Sequence, residues 1–182
     1  MFILYGVLIG LVLGFLVGGR PAGLASLQIR YGWLMIAGLL VQIVLFSPFA
    51  AERVGDVGPP VYVGSTLVVA GAILANLRIP GMALVGLGAI SNLAAIVANG
   101  GYMPADPRAM AALGMAEPTT YSNSSVVPDP ALWPLTDIFA MPAWLPWSNV
   151  FSVGDVIIVV GVALVIVSAL RRPVEPETAA AS

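Results

Sequence analysis

Residues 153–170 read VGDVIIVVGVALVIVSAL and run directly into Arg171-Arg172. A single carboxylate, near the start, interrupts an otherwise apolar stretch that would be about 27 Å long as a helix, close to the hydrocarbon thickness of a bilayer. Four other stretches share this character, at about 2–19, 31–50, 61–77 and 82–98. In lipid a backbone must satisfy its own hydrogen bonds, which excludes open strands and makes each stretch a helix. The sequence therefore predicts an all-α membrane protein, a five-transmembrane-helix bundle forming one polytopic domain over residues 1–172. The first stretch lacks a positive leading region and is too long for a signal core, so it is read as a retained span.

Composition agrees. Hydrophobic residues make up 59% of the 182 and charged residues 9%, against about 25% charged in an ordinary soluble domain. Seven basic and nine acidic residues leave a net charge of −2, with no basic patch to neutralise phosphates, so a nucleic-acid partner is excluded. The chain has no Cys, His or Lys. That removes thiolate and imidazole nucleophiles, the usual zinc and haem ligands and Schiff-base chemistry. No metal, cofactor or catalytic residue is assigned, and a non-enzymatic role is favoured. The lack of Cys leaves the redox compartment open.

Arg20, Arg30, Arg78, Arg171 and Arg172 fall in one set of alternate connections and only Arg53 and Arg108 in the other. By the positive-inside rule the N-terminus lies outside and the C-terminus in the cytoplasm. Residues 173–182 read as a short disordered cytoplasmic tail. The one long connection, 99–152, is then an outer loop rich in Pro and Trp. Its eight prolines forbid a continuous helix. A short helix is predicted with Asp106 as cap, Pro107 at the first position and Gly114 as terminator. Residues 117–129 read as an exposed, turn-rich segment. Trp133, Trp144 and Trp147 favour the headgroup boundary, which places 132–147 along the outer interface or folded over the bundle.

Several constellations stand out. Gly6, Gly10, Gly14 and Gly18 repeat every four residues, a stripe for close helix packing against another span or a second copy of the chain. Asn92 and Asn99 lie two turns apart on one face, as interhelical glue or as part of a site; Gln42 and Asn76 read as glue. Asn99-Gly100-Gly101-Tyr102-Met103-Pro104 forms a helix stop followed by a turn. Ser152-Val153-Gly154-Asp155 opens the last span as a hydroxyl cap with a carboxylate three residues on, serving as a cap or as part of an outer site. Asn123-Ser124-Ser125 fits a glycosylation acceptor.

The runs 99–104, 135–138 and 152–155 make the chain resemble a family of small bacterial integral membrane proteins of unknown function. Thr136 stands where that family often has Gly before Asp137. The resemblance implies a location in the bacterial cytoplasmic membrane and supplies no reaction. The leading expectation is a binding or accessory protein for a lipid, a small amphipathic ligand or a membrane partner at the outer face. Its candidate site comprises Asn92, Asn99, Gly100, Gly101, Met103, Pro104, Asp137, Ser152, Gly154 and Asp155. The bilayer, a homo-oligomer or a membrane protein are the expected partners. A transporter or channel component and a lipid-headgroup enzyme are the alternatives.

Overall fold

The computed structural model describes residues 2–173 and is mostly helical. Its helices are α1 (Ile3–Leu16), α2 (Pro21–Ala25), α3 (Gly32–Leu45), α4 (Pro48–Ala51), α5 (Gly58–Leu74), α6 (Met82–Ala98), α7 (Pro107–Ala112) and α8 (Val153–Leu170). The tail expected over 173–182 lies, after Pro173, outside the described residues.

Small residues determine which helices touch. The five long helices form a row in the order α1, α8, α6, α5, α3. α1 runs parallel to α8, with Gly6 against Val159, Gly10 against Ala163 and Gly14 against Leu170. A Cβ at Gly10 would come within 2.9 Å of Ala163 Cα, so only glycine permits this approach. On the other side of α8, Gly88 faces Gly154 and Gly161 faces Val85, which sets α6 antiparallel to it. α3 joins through Gly38 against Val69 and through Gln42, which donates to Ser65 Oγ and Thr66 Oγ1 at 3.2 Å each. Asn76 ties the far end together, accepting from Arg30 N at 2.8 Å and donating to Arg30 O at 2.7 Å.

The helix bounds differ from the expected spans for local reasons. α1 stops at Leu16 rather than Gly19, because Gly18 takes a φ of +83°. Gly18 consequently leaves the packing stripe, and nothing lies within 4 Å of where its Cβ would be. The 31–50 span is interrupted at Phe46-Ser47, where Pro48 starts a separate turn capped by Ser47. α5 begins earlier than expected, because Pro59 and Pro60 sit in the first turn, where a missing N–H costs nothing. Among the described residues two segments, Gly55–Leu74 and Val153–Leu170, are long and apolar enough to cross a membrane; α1, α3 and α6 are apolar but shorter.

Residues 99–152 form a folded cap at one end of the row, more ordered than the expected loop. β1 (Met103–Pro104) pairs in parallel with β2 (Ser124–Ser125), and β3 (Phe139–Ala140) pairs antiparallel with β4 (Val150–Phe151). Ser124 is therefore buried inside the segment expected to be exposed. α7 forms as predicted, with Asp106 accepting from Arg108 N at 2.7 Å and Gly114 at a φ of +65°. Ala105, Ala109, Met110 and Val150 give the cap a small core of its own, and the 3-10 turn Trp133–Leu135 rests on α6 and α8.

The interface glycines yield a paired prediction. Gly10→Ala should destabilise the fold by about 1–3 kcal/mol through overpacking. Gly71→Ala, where nothing lies within 4 Å of the added methyl, should be neutral or stabilising by up to about 1 kcal/mol. Thermal unfolding followed by circular dichroism separates the two.

Candidate functional site

The N-terminus of α8 carries a closed hydrogen-bond ring. Ser152 Oγ accepts from Asp155 N at 3.0 Å, and Asp155 Oδ2 accepts from Ser152 N at 3.0 Å, forming a full capping box. Ser152 Oγ then donates to Asn92 Oδ1 at 2.9 Å, and Asn92 Nδ2 donates to Asp155 Oδ1 at 2.8 Å. Asn92 reaches across from α6 because Gly154 has no side chain; a Cβ there would collide with the amide oxygen. Ser152, fully buried, thus serves as both a cap and a bridge between helices.

The cap supplies a second carboxylate. Asp137 N donates to Pro104 O at 2.9 Å and Asp137 O accepts from Asp106 N at 3.0 Å, which threads Asp137 into the β1 region. Its side chain is 5% exposed, and one oxygen accepts from Ser124 Oγ at 2.8 Å. Asp137 and Asp155 face a polar chamber of about 90 Å³, also lined by Tyr62, Asn92, Ile96, Met103 and Asn123. Burial pushes the Asp137 carboxyl up to about 7, the nearby Asp155 carboxylate adds to the rise, and the Ser124 hydrogen bond partly opposes it.

Beneath the chamber lies an apolar cavity of about 370 Å³. Its wall extends from Ile3, Tyr62 and Ile96 at the cap end to Ile29, Ile73 and Met82 at the other, with Gln42, Thr66 and Asn92 among its few polar members. From Met82 to Ile96 it follows about 21 Å of α6. Tyr62, Asn92 and Ile96 line both spaces, so the polar chamber adjoins the cap end of the long apolar one.

The structure brings together Asn92, Met103, Asp137 and Asp155 on the chamber wall, with Ser152 and Gly154 directly behind. It places Asn99 elsewhere. Its amide holds the Ala131 backbone in both directions, each bond at 2.9 Å, and so fastens the cap to the end of α6. Gly100 and Gly101 make the turn, with φ of +70° and +90°, and Gly101 lies against Pro59. Pro104 is buried and acts through its carbonyl. Sequence reasoning gives no role to Tyr62 or the apolar cavity, and reads Asn123 and Ser124 only as part of a glycosylation acceptor. Tyr62 left one usable signal: a phenol in an apolar stretch carries a hydroxyl that must find a partner.

Comparison with protein families matches residues 26–167 to a family described as "Family of unknown function (DUF5317)". No curated protein and no solved structure matches the chain.

Asp137 has a definite linkage sign. Its folded value, about 7, lies above the ordinary 3.8, so between those values the folded state holds more proton than the unfolded state, and this group's contribution to stability falls as pH rises. Thermal midpoints measured from pH 4.5 to 7.5 should decline with pH in the wild type. The decline should be clearly shallower in Asp137→Asn, whose amide keeps an oxygen for Ser124.

Proposed function

We propose that this chain, which belongs to the family of unknown function DUF5317, is a five-span protein of the bacterial cytoplasmic membrane that binds an amphipathic small molecule or lipid beneath its outer cap. The reading is non-enzymatic. The adjacency of the two spaces carries it: a long apolar cavity with a small polar chamber against its end, sharing Tyr62, Asn92 and Ile96, suits a hydrocarbon chain with a polar head.

Surface chemistry supports the membrane setting. Glycines and small residues fill the helix interfaces, while Leu16, Ile36, Ile43, Val44 and Leu87 point outward and are more than half exposed. A soluble protein does not usually leave contiguous apolar helix faces uncovered. Trp133, Trp144 and Trp147 are exposed on the cap, with Trp144 at 81%, as side chains of the headgroup region would be. The alternating helix directions place Arg20, Arg30, Arg78, Arg171 and Arg172 at the end away from the cap, the arrangement that puts the cap outside. α1 and α3 have 14 residues each; local thinning of the bilayer and the apolar residues flanking them would accommodate that length.

Two measurements test this proposal. The chain contains no Cys, so single cysteines report topology without background. A cysteine at exposed Thr119 should react with a membrane-impermeant maleimide on intact cells, and one at Ala180 only after lysis; the reverse pattern would overturn the orientation. Native mass spectrometry of the full chain from mild detergent should show a retained amphiphile adduct. Ala89→Trp, which fills the cavity wall, should lose the adduct while keeping its helical circular dichroism. A wild-type protein that never carries an adduct would overturn the binding reading.

A further inference from the structure

The chamber offers hydrogen-bond acceptors and negative charge with little to satisfy them. Two carboxylates, Asp137 and Asp155, share its wall with Asn92, Asn123 and Tyr62. Among the described residues no Arg lines it, and the chain has neither Lys nor His. The Asn92–Ser152–Asp155 ring is closed on itself. Two polar atoms remain outside it. Asp137 has one oxygen on Ser124 and the other without a partner among the described residues, although the residue is 5% exposed. The Tyr62 hydroxyl likewise has no partner among the described residues, although Tyr62 is 9% exposed. Both belong to residues more than nine-tenths buried, and among the described residues no side-chain polar atom is sealed away unpaired. The open valences of Asp137 and Tyr62 therefore face the void.

We infer that the chamber receives a protonated amine, and that the amphiphile is a single hydrocarbon chain ending in an ammonium group. This inference rests on the proposed amphiphile site and adds the chemistry of its head. An ammonium donates N–H to the open Asp137 oxygen and to the lone pair of the Tyr62 phenol oxygen, and offsets the paired carboxylates. A fatty acid or phosphate head would set like charges side by side in a buried space. An alcohol gives one donor and no charge. The cavity's volume, about 370 Å³, lies near the lower end of the range of about 300–1,000 Å³ for ligand pockets. Its extension along α6 suits one extended chain better than the paired chains of a phospholipid.

The test titrates the purified full chain, in a fixed concentration of nonionic detergent, with dodecylammonium, dodecanol and dodecanoate, counting adducts by native mass spectrometry. Wild type should bind dodecylammonium at least about tenfold more tightly than dodecanol, and dodecanoate least. Asp137→Asn should remove that preference, bringing dodecylammonium down to the affinity of dodecanol. Tyr62→Phe, nearly isosteric, should weaken dodecylammonium several-fold and serves as the second variant. Equal binding of dodecylammonium and dodecanol by wild type would overturn the ammonium head and leave the amphiphile site standing, as would full preference retained in both variants. Binding of none of the three, or binding unaffected by Ala89→Trp, would overturn the underlying site itself.

Discussion

The crossing of α6 and α8 is the contact on which the rest of the molecule depends. At Gly88 and Gly154 the two helices meet without an intervening side chain, and Gly161 repeats the approach against Val85 two turns away. Asn92 lies one turn beyond Gly88, and Asp155 immediately follows Gly154. The close approach therefore brings an amide and a carboxylate within 2.8 Å. Buried polar networks strengthen a fold only when every member is satisfied. Asn92, Ser152 and Asp155 satisfy one another, so the network locks the crossing angle that the glycines permit.

The walls of the chamber have two origins. Helices contribute Tyr62, Asn92 and Asp155; the cap contributes Met103, Asn123 and Asp137. Neither set makes a site alone. What joins them is a group of fasteners: Asn99 on Ala131, the Tyr121 ring against Gly58 with its hydroxyl on Gly101 O at 2.8 Å, and Gly101 itself against Pro59. Gly101 is doubly constrained, by its positive φ and by the proline ring where its Cβ would be. Residues that look like binding groups in the sequence thus divide into those that face the void and those that seat the lid over it.

The long helices were legible because their signals are local. Apolar length, glycine spacing and the Ser152 and Asp106 caps depend on neighbours a few positions apart, and α6 and α8 occupy the ranges read from sequence. The end of α1 was misplaced because Gly18 looked like a fourth member of the stripe, whereas its backbone turns out of the helix. The cap was only partly legible. Two-residue strands such as Met103–Pro104 and Ser124–Ser125 carry no periodicity, and their pairing is set by tertiary contact across twenty residues. The apolar cavity was not legible, since it is the space left where a curved row of helices fails to close, and no residue type marks it. Asp137 stands out in the sequence and lies on the chamber wall, but its partner Ser124 sits in a stretch whose polarity reads as exposed.

The position of α8 between α1 and α6 has a consequence for biosynthesis. The helix that separates the other two follows both of them in the chain, and so leaves the ribosome after them. Through most of translation the glycine faces of α1 and α6 have no mate, and the cap has no helix N-terminus to settle on. The contacts are among the most distant in the chain, and such long-range closure is slow compared with local helix formation. Until α8 arrives, α1 is cut off from the group of α3, α5 and α6, whose mutual contacts need nothing from α8, which makes α8 the keystone that draws the two parts into one body.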